Sequence, residues 1–144
     1  MRRPAYTLIE LACTLMLIAV LLGLAAPPLG RALAWTRVRA ARDVVAAEAA
    51  RARSLAVARG GADLVLDLRH ARAWLTAPDT VTPPVEVADQ RVVRLSADGA
   101  DGDTVRIAFD ALGLGRVASR TLRFRAAAAE ARLTLSSYGR VRLW

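Results

Sequence analysis

The fold of this chain is decided by residues 5–30, AYTLIELACTLMLIAVLLGLAAPPLG. No charged residue lies between Glu10 and Arg31. Residues 11–26 give about 24 Å of helix at ~1.5 Å per residue. Counting back to Thr7 supplies the about 20 residues that a ~30 Å hydrocarbon core requires. Glu10 then lies in the membrane or at its edge, where a carboxylate is costly and needs a partner or a function.

The residues before the apolar run indicate its orientation and leave three interpretations. Arg2 and Arg3 hold the start of the run on the cytoplasmic side, which sends the bulk of the chain across the membrane. A cleaved signal peptide would be cut near Gly23, but Glu10 interrupts its early apolar region. A lipoprotein signal ending at Cys13 would need its apolar region before the cysteine, whereas here the apolar region follows it.

The third interpretation rests on residues 5–10, Ala-Tyr-Thr-Leu-Ile-Glu, which resemble the type IV prepilin signal G-F-T-L-I-E. In that family a prepilin peptidase cuts before the aromatic residue and methylates the new amine. The resemblance therefore implies cleavage between Ala5 and Tyr6 and N-methylation of Tyr6. Glu10 stands four residues after Tyr6, so the freed ammonium can compensate its carboxylate. Between neighbouring subunits, the family uses this pairing to set axial register.

The rest of the chain divides into a second helical segment and a strand-rich segment. Pro27 and Pro28 are expected to end or kink the first helix. Apolar residues then recur at helical spacing as far as the stop signal Gly60-Gly61. After that the period becomes two, which predicts about seven short strands, near 64–68, 73–76, 91–95, 104–109, 121–125, 131–136 and 140–144.

One long helix followed by strands predicts an α+β fold. We expect a leader at 1–5, a transmembrane and assembly helix at 6–29, an amphipathic helix at 30–60 and a β-rich domain at 61–144. This order, with its Gly139-Arg140-Val141-Arg142 ending, is similar to the GspH/FimT group of minor pseudopilins and minor pilins. The resemblance implies a pilin-like fold, in which a long kinked helix packs on a small antiparallel β domain.

Composition excludes several kinds of site. The chain has 21 basic residues, all of them Arg, against 13 acidic ones, and its net charge of +8 favours anionic partners. Cys13 and His70 are single, which excludes an intrachain disulfide and cysteine- or histidine-based metal sites. Asp98, Asp101 and Asp103 do not have the spacing of an EF-hand and are interpreted as a surface turn. No catalytic constellation is found, so neither an enzyme nor a cofactor or metal is expected.

The C-terminal strand carries the candidate DNA-binding residues. Alternation places Arg140, Arg142 and Trp144 on one face after a turn at Gly139, and Arg123 and Arg125 share a face of their own strand. If these strands lie in one sheet, the arginines form a basic stripe that suits a nucleic-acid backbone. In FimT-type minor pilins, the Gly-Arg-x-Arg ending is associated with DNA binding during uptake. The preferred interpretation is a solvated outer face, since Arg is the only basic residue that this chain uses.

The expected function is that of a minor pseudopilin of a type II secretion-like machine. Its expected partners are a prepilin peptidase, other pilin or pseudopilin subunits that contact the N-terminal helix, and a membrane that it crosses once. The expected location is the bacterial inner membrane, with the β domain on the periplasmic side. The first alternative is a minor type IV pilin that binds DNA through Arg140 and Arg142. The second is an exported enzyme with an uncleaved anchor.

Overall fold

A computed structural model describes residues 7–100, 102–116 and 119–144, with the backbone alone for 24–27. It contains one long helix, α1, over Leu8–Arg59, and the chain divides into two compact units after Leu33. The proposed leader and the Ala5–Tyr6 cleavage site lie outside the described residues.

The first half of α1 is apolar and exposed. The helix is long and apolar enough to cross a membrane, and none of its most apolar stretch is buried. Helical backbone continues through Pro27 and Pro28, so the prolines do not end the helix as one of our two expectations had it. Each proline removes one amide donor but keeps φ in the helical range, and the hydrogen bonds of neighbouring turns carry the helix on.

The second half of α1 belongs to the second unit and packs through a stripe of small residues. The stripe recurs every three or four residues, as expected for one face of a helix: Ala34, Val38, Ala41, Val45, Ala49, Ala52 and Ala56 are all buried. The helix ends at Arg59, where the sequence predicted a stop. Gly60 follows with φ of +79°, a conformation that glycine adopts without the strain of a Cβ.

The described residues after the helix form nine strands rather than about seven. The seven longer ones occupy the predicted regions, and the two additional strands, β3 and β4, have only two residues each. The strands are β1 Gly61–Asp67, β2 Arg72–Ala77, β3 Thr80–Val81, β4 Val85–Glu86, β5 Arg94–Ala97, β6 Thr104–Asp110, β7 Arg120–Ala126, β8 Ala129–Leu135 and β9 Val141–Leu143.

The strands form two antiparallel sheets. The first has the order β3-β2-β1-β6, with β4 also paired to β2, and the second has the order β5-β7-β8-β9. Leu64 and Ile107 from the first sheet and Phe124 and Leu133 from the second are buried in the same core as the helical stripe. The predicted α+β class is therefore confirmed at the level of one long helix followed by antiparallel sheets.

Candidate functional site

Three of the candidate arginines lie in one sheet, and Arg140 directly precedes its strand β9. Strand β8 separates β7, which carries Arg123 and Arg125, from β9, which carries Arg142. Directly opposite residues of antiparallel strands share a face. Arg123 is opposite Arg132, and Arg142 is opposite Thr134, so these side chains belong to the outer face of the sheet.

Carboxylates neutralise the β7 and β8 part of this face. Arg123 lies 3.0 Å from Asp98, and Glu130 receives hydrogen bonds from Arg132 at 2.6 Å and Arg125 at 2.7 Å. The hydrogen bond from Arg132, and then that from Arg125, holds the pKa of Glu130 below its ordinary range. The sequence interpretation missed Glu130, although the tight β7–β8 turn places it opposite Arg125.

Arg140 and Arg142 lie in a different environment. Both are exposed, and neither forms an ion pair with any carboxylate in the part of the chain that the structure describes. They line an open groove of about 690 Å³ together with Arg53, Leu114, Ser136 and Tyr138. The backbone N–H of Arg140 donates to Ser136 Oγ at 3.1 Å, which fixes the entry into β9. The groove therefore brings together two arginines that have no carboxylate partner among the described residues.

Gly139 is required by two features of the turn that precedes these arginines. Its φ is +71°, and a Cβ added there would lie 3.0 Å from the Gly113 carbonyl oxygen. The turn thus packs backbone to backbone against the loop that follows β6. Arg53 of α1 joins the two loops, since its Nε donates to Gly113 O at 3.1 Å and its Nη1 to Gly139 O at 3.4 Å. No pattern in the sequence indicated this role of Arg53, because its partners are 60 and 86 residues away.

Trp144 does not lie beside Arg140, although alternation places the two on one face. Its backbone exchanges hydrogen bonds with Arg132, at 2.9 Å from its N–H and 3.1 Å to its carbonyl. Its exposed side chain borders a separate cavity of about 530 Å³ that Arg123, Glu130 and Arg132 also line. The indole therefore lies over the neutralised part of the face.

Glu10 is the one charged residue in the apolar stretch 8–30. Its side chain is exposed, and its backbone N–H donates to Thr7 O at 3.1 Å in the first turn of α1. Tyr6 lies outside the described residues, so the pairing of its amine with Glu10 stays a prediction.

Two of the other titratable groups considered from sequence, His70 and Asp98, have structural partners. His70 Nδ1 is 2.7 Å from Asp67 Oδ2 in the β1–β2 turn. Burial opposes ionisation of Asp67, but hydrogen bonds from the backbone and ring of His70 outweigh it and lower the pKa of that carboxyl. Asp98 pairs with Arg123, while Asp101 lies outside the described residues. Across residues 7–100, 102–116 and 119–144, no group of three or more metal-ligating side chains is arranged to hold an ion.

Comparison of the chain with protein-family models, with curated proteins and with solved structures gives no match.

Proposed function

We propose that this protein is a membrane-anchored minor pseudopilin, a structural subunit of a type II secretion-like filament. A prepilin peptidase would cut between Ala5 and Tyr6 and methylate Tyr6. The apolar half of α1 would then anchor the chain in the inner membrane and pack beside the helices of neighbouring subunits. The β domain would lie on the periplasmic side and contact other subunits.

The observation that carries the proposal is the exposed apolar half of α1 with its single carboxylate, Glu10. Large apolar side chains are exposed throughout this stretch, among them Leu8, Ile9, Met16, Ile18 and Leu22. A helix whose large apolar side chains are this exposed needs lipid or other helices to cover it. A carboxylate in that setting needs a cationic partner, and an amine freed four residues earlier supplies one.

The mass of the mature N-terminus tests the proposal. Full-length protein is extracted from the membranes of cells that contain a prepilin peptidase and is analysed by mass spectrometry. We expect a chain that starts at N-methylated Tyr6, and a chain that keeps Met1 when the peptidase gene is deleted. A mature N-terminus at any other residue in peptidase-containing cells would refute the prepilin interpretation.

A second candidate function is DNA binding by a minor type IV pilin. The observation that favours it is the absence of carboxylate partners for Arg140 and Arg142 in the described structure. Against it, carboxylates neutralise Arg123 and Arg125, so the basic stripe does not continue across the sheet. Duplex binding that weakens steeply with salt, and less steeply after Arg140→Ala and Arg142→Ala, would support this function.

A further inference from the structure

The groove beside β9 combines uncompensated charge with exposed apolar surface. Arg140 and Arg142 carry the charge, and Arg53 adds a third guanidinium that already donates to two loop carbonyls. The same sheet shows the opposite arrangement at Glu130, where one carboxylate serves two arginines. Because Arg140 and Arg142 have no carboxylate partner among the described residues, the groove is suited to a negative charge from another molecule.

Exposed apolar side chains lie beside this groove. Leu112 is 76% exposed, Tyr138 72% and Val57 60%, and Leu114 lines the groove itself. Val57 of α1 and the loop around Gly113 are in contact, since a Cβ on Gly113 would lie 3.3 Å from a Val57 methyl carbon. These side chains form an apolar rim, defined here as Val57, Leu112, Leu114 and Tyr138, that no described part of the chain covers.

The loops that carry the rim are held in place before any partner arrives. Asp110 Oδ1 accepts the backbone N–H groups of Leu112 at 2.9 Å and Leu114 at 2.8 Å. Arg53 ties the same loop to the Gly139 turn. A surface that is already ordered loses less conformational entropy on binding, which favours affinity.

We propose that the groove beside β9 and its apolar rim bind a peptide segment of a partner protein that carries carboxylates next to large apolar side chains. The carboxylates pair with Arg140 and Arg142, and the apolar side chains cover Leu112, Tyr138 and Val57. If the protein is a filament subunit, as proposed above, the partner is another subunit of that filament. The inference rests on that function only for the partner's identity, and not for the chemistry of the site.

A nucleic acid fits this surface less well. Phosphates would pair with the two arginines, and a base would stack on Tyr138. Leu112 and Val57 would then stay largely exposed, since the phosphates and sugars of a nucleic-acid backbone offer little apolar surface to cover them. The acidic apolar peptide accounts for both the charge and the rim.

Direct binding to three labelled probes tests the proposal. The full chain is held in neutral detergent, and the probes are a peptide that alternates Glu with Leu, a peptide that alternates Glu with Ser, and a duplex oligonucleotide. We expect the Glu/Leu peptide to bind at least tenfold more tightly than the Glu/Ser peptide, because covering even one large side chain contributes about that factor. Equal binding of the two peptides, or tighter binding of the duplex than of the Glu/Leu peptide, would overturn the proposal.

Paired variants separate the charge from the rim. Arg140→Gln with Arg142→Gln should reduce Glu/Leu binding by at least tenfold, whereas removal of two exposed arginines elsewhere, Arg72→Gln with Arg94→Gln, should change it by less than threefold. Leu112→Ser should weaken the Glu/Leu peptide by roughly tenfold and leave the Glu/Ser peptide unchanged. Val81→Ser, at a similarly exposed residue of the first sheet, is its control. Loss of binding in the controls to the same extent would show nonspecific attraction and overturn the proposal.

Each variant is compared with the parent chain by circular dichroism, so a misfolded variant is recognised and replaced by Arg140→Ala with Arg142→Ala, or by Leu112→Gln. The binding measurement does not require processing or assembly. Failure of the Glu/Leu peptide to bind, with a mature N-terminus at Tyr6, would therefore refute the site and leave the proposed function intact.

Discussion

Gly139 combines a left-handed backbone with a close contact between two loops, and the two effects can be separated by substitution. Gly139→Ala would strain a residue with φ of +71° and place a Cβ 3.0 Å from Gly113 O. We expect it to lower the free energy of unfolding by roughly 1–3 kcal/mol, because strain and crowding add. The measurement is urea unfolding of the full chain in detergent, followed by tryptophan fluorescence.

Gly99→Ala is the matched control for that substitution. Gly99 has a similar φ of +67°, but nothing lies within 4 Å of an added Cβ. The loss of unfolding free energy on Gly99→Ala therefore reports backbone strain alone. Any additional loss on Gly139→Ala reports the contact of the added Cβ with Gly113. Equal losses at the two positions would show that the close approach of the loops contributes nothing to stability.

Only part of the candidate site could be predicted from the individual residues of the sequence. Alternation correctly separates Arg123 and Arg125 from the buried Leu122 and Phe124, because one face of the strand must enter the core. Alternation does not say which arginines are neutralised, since that depends on Asp98 from a distant turn. The role of Arg53 depends on the packing of a helix against two loops, and helical periodicity contains no such information.

The second half of α1 packs through alanine, so its distance from the sheets depends on small side chains. Ala49→Leu would add three carbon atoms where the alanine is fully buried. Overpacking of this kind costs about 1–3 kcal/mol. We expect a loss of that size in urea unfolding, whereas Ala50→Leu, one residue further along and exposed, should change stability by less than about 0.5 kcal/mol. Similar stability of the two variants would mean that the helix can move away from the sheets without loss.

At the scale of elements, sequence periodicity predicted the longer strands and missed the two strands that are too short to show an alternation of buried and exposed residues. Five of the seven longer strands place alternate residues in the core, as in β8, where Ala131, Leu133 and Leu135 are buried, whereas no residue of β5 or β9 is fully buried. Strands β3 and β4 are too short to alternate, and they lie in or beside the proline-rich turn 79–84. The continuity of α1 through Pro27 and Pro28 agrees with one of the two expectations, a kink rather than an end, because a proline removes a hydrogen bond without forbidding a helical φ.

The chain as a whole consists of two units with different surfaces. Residues 34–144 enclose a core of their own, whereas the described helix before them buries no large apolar side chain. Such a division suits a molecule that spends its globular part in water and its first helix in lipid or among other helices. Among the described residues, most of the large exposed apolar side chains lie in 8–33, and the β-rich domain exposes fewer, Leu112 and Tyr138 among them.

Glu10 links the membrane to assembly in this proposal, and the two roles predict different effects of substitution. Glu10→Gln removes a charge from the apolar stretch, so insertion should be undiminished, as resistance to carbonate extraction from membranes would show. Assembly should fail, because the amide no longer compensates the N-terminal ammonium of a neighbouring subunit. We expect chemical crosslinking in whole cells to lose the adducts between this chain and its neighbours, and Glu10→Asp, which keeps the charge, to retain part of them. Unchanged adducts with Glu10→Gln would mean that the apolar surface of α1 alone determines how the subunits align.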